Sequence, residues 1–207
     1  MVNRGSEWRL WNLHMHSAYS KETRTKMSVK EIFDKLIEKN ISMFSITDHS
    51  NVDALDDIWN IYENQGNEKG LYKDQINFIP GIEIKTDKGK KGVHLICVFP
   101  QKIKISETYV KSTRQNIYDN FCSVLGLTES KITANGNGDY GKGLLTSIVN
   151  FEAAVELTHK LGGLVIIHGG DKHGSIENEM THVLKKEPTP EEIYETLDIT
   201  KSEIIEK

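Results

Sequence analysis

The chain is short of cysteine, has no excess of positive charge and contains no long apolar run, and each shortage closes off a class of function. Its two cysteines, Cys97 and Cys122, sit among apolar neighbours, so a disulfide framework is not what shapes the fold. No stretch approaches the roughly 20 apolar residues of a membrane span, and the opening has no apolar signal core. The expectation is a cytoplasmic protein with no membrane partner. A net charge of −4 provides no global basic field to recruit nucleic acid. It does not exclude a nucleic-acid substrate, because metal ions in a site neutralise phosphate locally. With 207 residues, 37% hydrophobic and 27% charged, the chain is long enough for one domain, residues 1–207, with a substantial core. It contains no internal repeat.

The most informative run is Asn12-Leu13-His14-Met15-His16-Ser17. In an extended chain successive side chains point to opposite faces, so His14 and His16 project to the same side and form a chelate. Three further runs share this chemistry: Thr47-Asp48-His49, Pro80-Gly81-Ile82-Glu83 and Val165-Ile166-Ile167-His168. Each polar residue closes or follows an apolar run that reads as a strand, so side chains from separate strands converge at one rim, as in a barrel with its site at the strand ends. Imidazole and carboxylate together suit Zn, Mn or Fe, and a glutamate can bridge ions held about 3.5–4 Å apart.

Periodicity places these runs in order. Residues 10–16 read as a strand and 17–26 as a polar loop. Ser28-Val29-Lys30-Glu31 is a capping box that opens a helix carrying Ile32, Phe33, Leu36 and Ile37, with Asn40 at its end. A strand over 42–47, a helix over 53–63 and a polar loop over 64–75 follow. Strands are expected over 76–84 and 93–99, joined by the basic turn Lys88-Gly89-Lys90-Lys91-Gly92. Residues 104–149 fit the alternation poorly and read as an insertion near the mouth of the fold, with loose helical periodicity over 108–125 and a Gly/Asn-rich loop over 133–143. A helix over 151–161, a strand over 164–167, a glycine-rich loop and two helices from 176 and 189 complete the chain. The order points to an α/β fold with a largely parallel sheet.

Several features read more plainly. Residues 136–143 match the first seven positions of a phosphate-binding P-loop but carry Gly143 where the Mg²⁺-binding Ser/Thr belongs, so a flexible loop is expected. Its Lys142, with Lys88, Lys90 and Lys91, would contact substrate phosphate if these loops rim the site; solvated loop lysines are the plainer reading. His159 and His182 read as structural or surface residues. Trp8, Trp11 and Trp59 are expected to pack the barrel's ends.

The runs His14-Met15-His16-Ser17, Ile46-Thr47-Asp48-His49, Pro80-Gly81-Ile82-Glu83, Gly92-Val93-His94-Leu95 and Val165-Ile166-Ile167-His168 resemble the ordered motifs of the PHP (polymerase and histidinol phosphatase) superfamily. The opening Arg4-Gly5-Ser6-Glu7-Trp8-Arg9 and Ser175-Ile176-Glu177-Asn178 further resemble its TrlF-like subgroup, in which a PHP domain precedes a large ATPase region. The resemblance implies a distorted (β/α)7 barrel that holds two to three divalent metals and hydrolyses phosphoesters. Carried over, His14, His16 and Glu83 hold one metal; Glu83 bridges to a second, bound also by His94 and His168; His49 helps hold a third. Asp48 and His49 would position metal or water, and a protonated histidine, with His168 in the catalytic set, would serve the leaving group.

The chain departs from the pattern at three places. Asn12 stands where the superfamily has Asp. Glu22 is nearest to the position of a further ligand after the HxH run. The closing Asp-x-His motif is missing from a late strand; Asp171-Lys172-His173 has the spacing but lies in a loop after His168, so the expectation is that the chain stops before the barrel closes. The implied function is a phosphodiesterase acting on nucleic acid or nucleotides, in defence against foreign nucleic acid, with an ATPase domain or subunit as partner. The alternatives are a small-molecule phosphomonoesterase resembling histidinol phosphatase, and a degraded module used for assembly.

Overall fold

A computed structural model describes residues 9–21, 27–169 and 174–197. Two half-sheets meet at the metal-ligand runs. In the first, β1 (Leu10–Asn12), β2 (Ile41–Phe44) and β5 (Asn77–Phe78) pair in parallel. In the second, β6 (Gly81–Lys85), β7 (His94–Val98) and β10 (Leu164–Ile167) pair antiparallel in the order β10-β7-β6. Among the described residues an isolated bridge, His49 to Glu83, joins them: the Glu83 N–H donates to the Asp48 carbonyl at 3.1 Å, and the Ser50 N–H to the Glu83 carbonyl at 2.8 Å.

Helices cover the first half-sheet. α1 (Val29–Glu38) starts at the Ser28–Glu31 capping box and buries Val29, Ile32, Phe33 and Leu36. Asn40 ends it with φ 55°, a left-handed conformation that asparagine tolerates. α2 (Leu55–Asn64) buries Leu55, Ile58, Trp59 and Tyr62. Phe33, Phe44, Tyr72, Phe78 and Trp59 interlock in edge and tilted ring contacts. Behind α2 a two-residue hairpin, β3 (Gly66–Asn67) with β4 (Gly70–Leu71), closes the loop. On the second half-sheet, α6 (Phe151–Lys160) is capped by Asn150 and packs on β10. α7 (Ile176–Leu184) starts at Ser175, and α8 (Pro190–Leu197) follows it.

Four expectations differ from the structure. The 76–84 run is two strands, because Pro80 has no N–H to continue the ladder. The Ile79 N–H still donates to Phe44 of β2 (2.9 Å), while the Pro80 carbonyl accepts from Phe99 beyond β7 (2.8 Å), so the chain changes partner there. The sheet is not largely parallel: β6 and β7 are joined by a turn, which imposes antiparallel pairing, whereas a parallel pair needs a crossover of a dozen residues or more. Among the described residues the strands form short open sheets and not a closed (β/α)7 barrel. Leu10, Trp11, Leu164 and Ile166 stand exposed on the two outer strands, Trp11 at 60%, so Trp11 does not pack a barrel end. Trp59 does pack, donating its indole N–H to the Ser112 carbonyl at 2.8 Å.

The 104–149 block is more regular than its sequence. It follows into a hairpin, β8 (Lys102–Ile105) with β9 (Thr108–Lys111), so the start of the loosely helical run is a strand. α3 (Arg114–Ile117) passes into a π-helical turn, Tyr118–Cys122. The glycine-rich run is no flexible loop: α4 (Glu129–Asn135) and α5 (Tyr140–Thr146) form a tight helical pair. A Cβ on Gly143 would strike the Ile132 carbonyl oxygen, and one on Gly136 that of Asp139; the glycines are there for close approach. Asp139 caps α5 through the Lys142 N–H at 3.1 Å. Cys97 and Cys122 are buried and unbridged, and burial pushes both thiols up, Cys97 to about 12. Among the described residues no helix is long and apolar enough to cross a membrane.

Gly143→Ala is expected to destabilise the domain by about 1–3 kcal/mol through overpacking, read as a lower denaturant midpoint. Lys142→Ala, on the exposed face of the same helix, should stay within about 0.5 kcal/mol of wild type.

Candidate metal centre

β1 ends at Asn12, and the HxH run continues as a loop held beside β2. The Ser45 N–H donates to the Asn12 carbonyl (2.9 Å) and the Thr47 N–H to the Met15 carbonyl (2.7 Å). These bonds keep the run extended, so alternation still puts His14 and His16 on one side. Both reach Glu83, whose side chain is 3% exposed: Oε2 lies 3.1 Å from His14 Nε2, 3.2 Å from His16 Nε2 and 3.5 Å from His49 Nε2. Oε1 lies 2.6 Å from His94 Nδ1.

His94 opens β7, whereas the other histidines follow strands and Glu83 lies in the middle of β6. The antiparallel register explains its place: Lys85 pairs with His94 and Glu83 with Ile96, so the start of β7 lies at the end of β6. Gly174 closes over the ring, its carbonyl accepting the His94 N–H at 2.8 Å; with φ 78° and the His94 ring where a Cβ would sit, this position requires glycine. β10 runs antiparallel to β7 and hence in the direction of β6. It delivers His168 to the same rim, with its ring centroid 4.4 Å from that of His14.

Two ligand sets result. His14, Glu83 and His168 offer atoms all within 4.8 Å of one another, as do His16, His49 and Glu83. Burial alone would raise the Glu83 carboxyl, but hydrogen bonds with His14, His16 and His94 and the charge on His49 outweigh it and hold it well below the usual carboxylate range. The result is a buried anion ringed by nitrogen donors and shared between two triads. Such a set fits borderline divalent ions such as Zn, Mn or Fe.

Two serines that sequence reasoning passed over organise the set. Ser20, fully buried, places Oγ 2.5 Å from His49 Nδ1 and 3.3 Å from His16 Nδ1, on the far side of both rings from Glu83. The rings stack at 4.4 Å with 5° between planes. A partner on the second ring nitrogen fixes tautomer and orientation, as ligating histidines require. Ser17 donates its N–H to Asp48 Oδ1 (2.7 Å) and its hydroxyl to Oδ2 (2.6 Å). Both Asp48 oxygens are thereby used on the HxH loop, which makes Asp48 a positioning residue. Burial raises its carboxyl, and the Ser17 bonds and the His16 charge offset this in part. The signal for both serines was their spacing from His16, one and four residues on.

The remaining expected residues fall elsewhere. Asn12 Oδ1 accepts the His14 backbone N–H at 3.4 Å and does not touch the ring. Lys142 is exposed on α5, and no described contact joins it to the imidazoles. Lys88 pairs with Glu152 at 2.5 Å, and Lys90 and Lys91 are exposed. His159 is exposed in the last turn of α6, and His182 lies on α7. Glu22, Asp171 and His173 lie outside the described residues, as do Arg4 to Trp8.

Ser20→Ala should lower divalent-metal affinity about 10–100-fold with little change in the thermal midpoint, measured by competition with a chromophoric chelator. Glu83→Gln should cost metal in both triads at once; loss of half the bound metal would contradict a shared carboxylate.

Comparison with known proteins bears on the fold and the family. A candidate metal-dependent phosphoesterase from Bifidobacterium adolescentis shares the fold at 14% identity, over 92% of this chain and 74% of its own, with a TM-score of 0.52. An amidohydrolase from Chromobacterium violaceum, solved with sulfate and without metal, aligns at 12% identity over 84% of this chain and 72% of its own, also with a TM-score of 0.52. A search of curated protein sequences gives no match. The PHP domain family matches residues 12–206, a span that holds every histidine and the glutamate of the cluster, and the chain belongs to that family.

Proposed function

We propose that this chain is a metal-dependent phosphoesterase that cleaves phosphodiester bonds in nucleic acid or nucleotides. The observation that carries the reading is Glu83: one buried carboxylate common to two imidazole triads, the layout suited to a pair of ions acting on one phosphoryl group. Bound Mn, Zn or Fe ions would supply Lewis acidity and an activated water. The chain's own residues do the rest. Glu83 sets the spacing of the two triads. Ser20 holds the His16 and His49 rings, and Asp48 locks the HxH loop through Ser17. His14, with its side chain 37% exposed, marks the open side from which a phosphate reaches the cluster. That openness favours a diester within a longer chain over a small monoester, which calls for an enclosed pocket. A protonated histidine at the rim would serve the leaving oxygen. An ATPase domain or subunit and a role in defence belong to the same proposal and rest on the TrlF-like resemblance alone.

With Mn or Zn supplied, labelled oligonucleotides should be cut and Glu83→Ala should reduce cleavage to background. Phosphate release from small monoesters without oligonucleotide cleavage would make the protein a monoesterase. Full metal loading with neither activity would leave a binding module.

A further inference from the structure

The 104–149 segment and the loop after His49 line a cleft of about 230 Å³. One wall starts at Ser50, the residue after His49, and runs to Asp53; Arg114 and Tyr118 face it, and Glu129 and Tyr140 complete the rim. Asn51 ties this wall to the cluster: its Nδ2 donates to the His49 carbonyl (3.0 Å) and its Oδ1 accepts the Asp53 N–H (3.0 Å). Four residue steps span at most about 14 Å, so a ligand in the cleft sits within reach of a phosphate at the histidines.

The backbone is irregular at both walls. Ser50 is 2% exposed with φ 52°, a conformation unfavourable for a non-glycine residue and concentrated at functional sites. The π-helical turn Tyr118–Cys122 forms part of the opposite wall, and such turns are frequent at functional sites.

The lining selects its ligand. It is no phosphate site: Asp53 and Glu129 outnumber the one guanidinium, and Arg114 is already bonded to Asp53 through Nε (3.1 Å) and Nη2 (2.8 Å). Tyr140 donates to the other Asp53 oxygen at 3.3 Å. The Glu129 carboxylate and the Tyr118 and Ser50 hydroxyls make no hydrogen bond among the described residues, yet line the space. Val52 and Leu127, each 3% exposed, give an apolar surface. A fitting ligand has a flat apolar body and presents N–H donors. The volume is below the roughly 300 Å³ at which sites for drug-sized ligands begin, which suits a single heterocycle.

We infer that this cleft is the recognition subsite for the nucleobase of the phosphoester substrate, with amino or imino N–H groups of the base donating to Glu129 and its ring lying against Tyr118. This rests on the phosphoesterase reading of the metal centre, but binding of a base does not require that chemistry. The test therefore begins with nucleosides, which carry no phosphate. Titrating the full chain with cytidine or adenosine should give saturable binding, weakened about tenfold in Glu129→Gln, the effect of one charge-assisted hydrogen bond. In hydrolysis, Glu129→Gln should raise KM about tenfold for nucleotide diesters relative to bis(p-nitrophenyl) phosphate. A rise for cyclic mononucleotides as well as oligonucleotides assigns the base to a free nucleotide; a rise confined to oligonucleotides assigns it to a polynucleotide. Absence of nucleoside binding, or binding unchanged in both Glu129→Gln and Tyr118→Leu, overturns the subsite. Nucleoside binding that both variants weaken, in a protein that hydrolyses no phosphoester, upholds the subsite and counts against the phosphoesterase reading.

Discussion

A carboxylate taken out of water must be met by positive charge or by donors, or it takes up a proton. At Glu83 four imidazoles from three separate chain segments answer that requirement within 3.5 Å. Much of the architecture follows from bringing them there. The HxH loop is held extended against β2 so that two rings point one way. The His49–Glu83 bridge joins the half-sheets at the one residue pair in which both partners belong to the cluster. The β6–β7 turn reverses the chain so that a strand-opening histidine meets a carboxylate two residues before the end of the neighbouring strand.

The residues that hold this arrangement are uncharged or already paired. Ser20 stands behind two stacked rings, and Ser17 occupies both oxygens of Asp48. Gly174 leaves room for the His94 ring. Each is small, and each acts by a hydrogen bond or by leaving space beside a ligand. Rigid placement of this kind tunes a metal site alongside the ligands' own chemistry, because partners on the second ring nitrogen fix ring orientation and tautomer.

The 104–149 segment shows how misleading composition can be. Its glycines look like a phosphate loop, but their missing side chains let α4 and α5 approach closely. The resulting helical pair, with the π-helical turn before it, forms the wall of a cleft that starts one residue beyond His49.

His14, His16, His49, Glu83 and His168 stood out as candidates in the chain by itself because their signal is local, histidines at alternate positions and apolar runs that end in polar residues, whereas His94 came only from the family resemblance. Helices α1, α2 and α6 were legible for the same reason, since periodicity and caps are properties of neighbouring residues. What needed the tertiary structure depended on partners distant in sequence. The change of partner at Pro80, the antiparallel direction of β7 and β10, and the exposure of Trp11 follow from which strand lies beside which. So does the assignment of Asp48 to Ser17, 31 residues away, because a carboxylate next to a ligand histidine looks the same in sequence whether it faces a metal or a hydroxyl. The sequence by itself determined which groups could bind metal; tertiary structure decided which of them meet at Glu83, because convergence depends on strand direction and register.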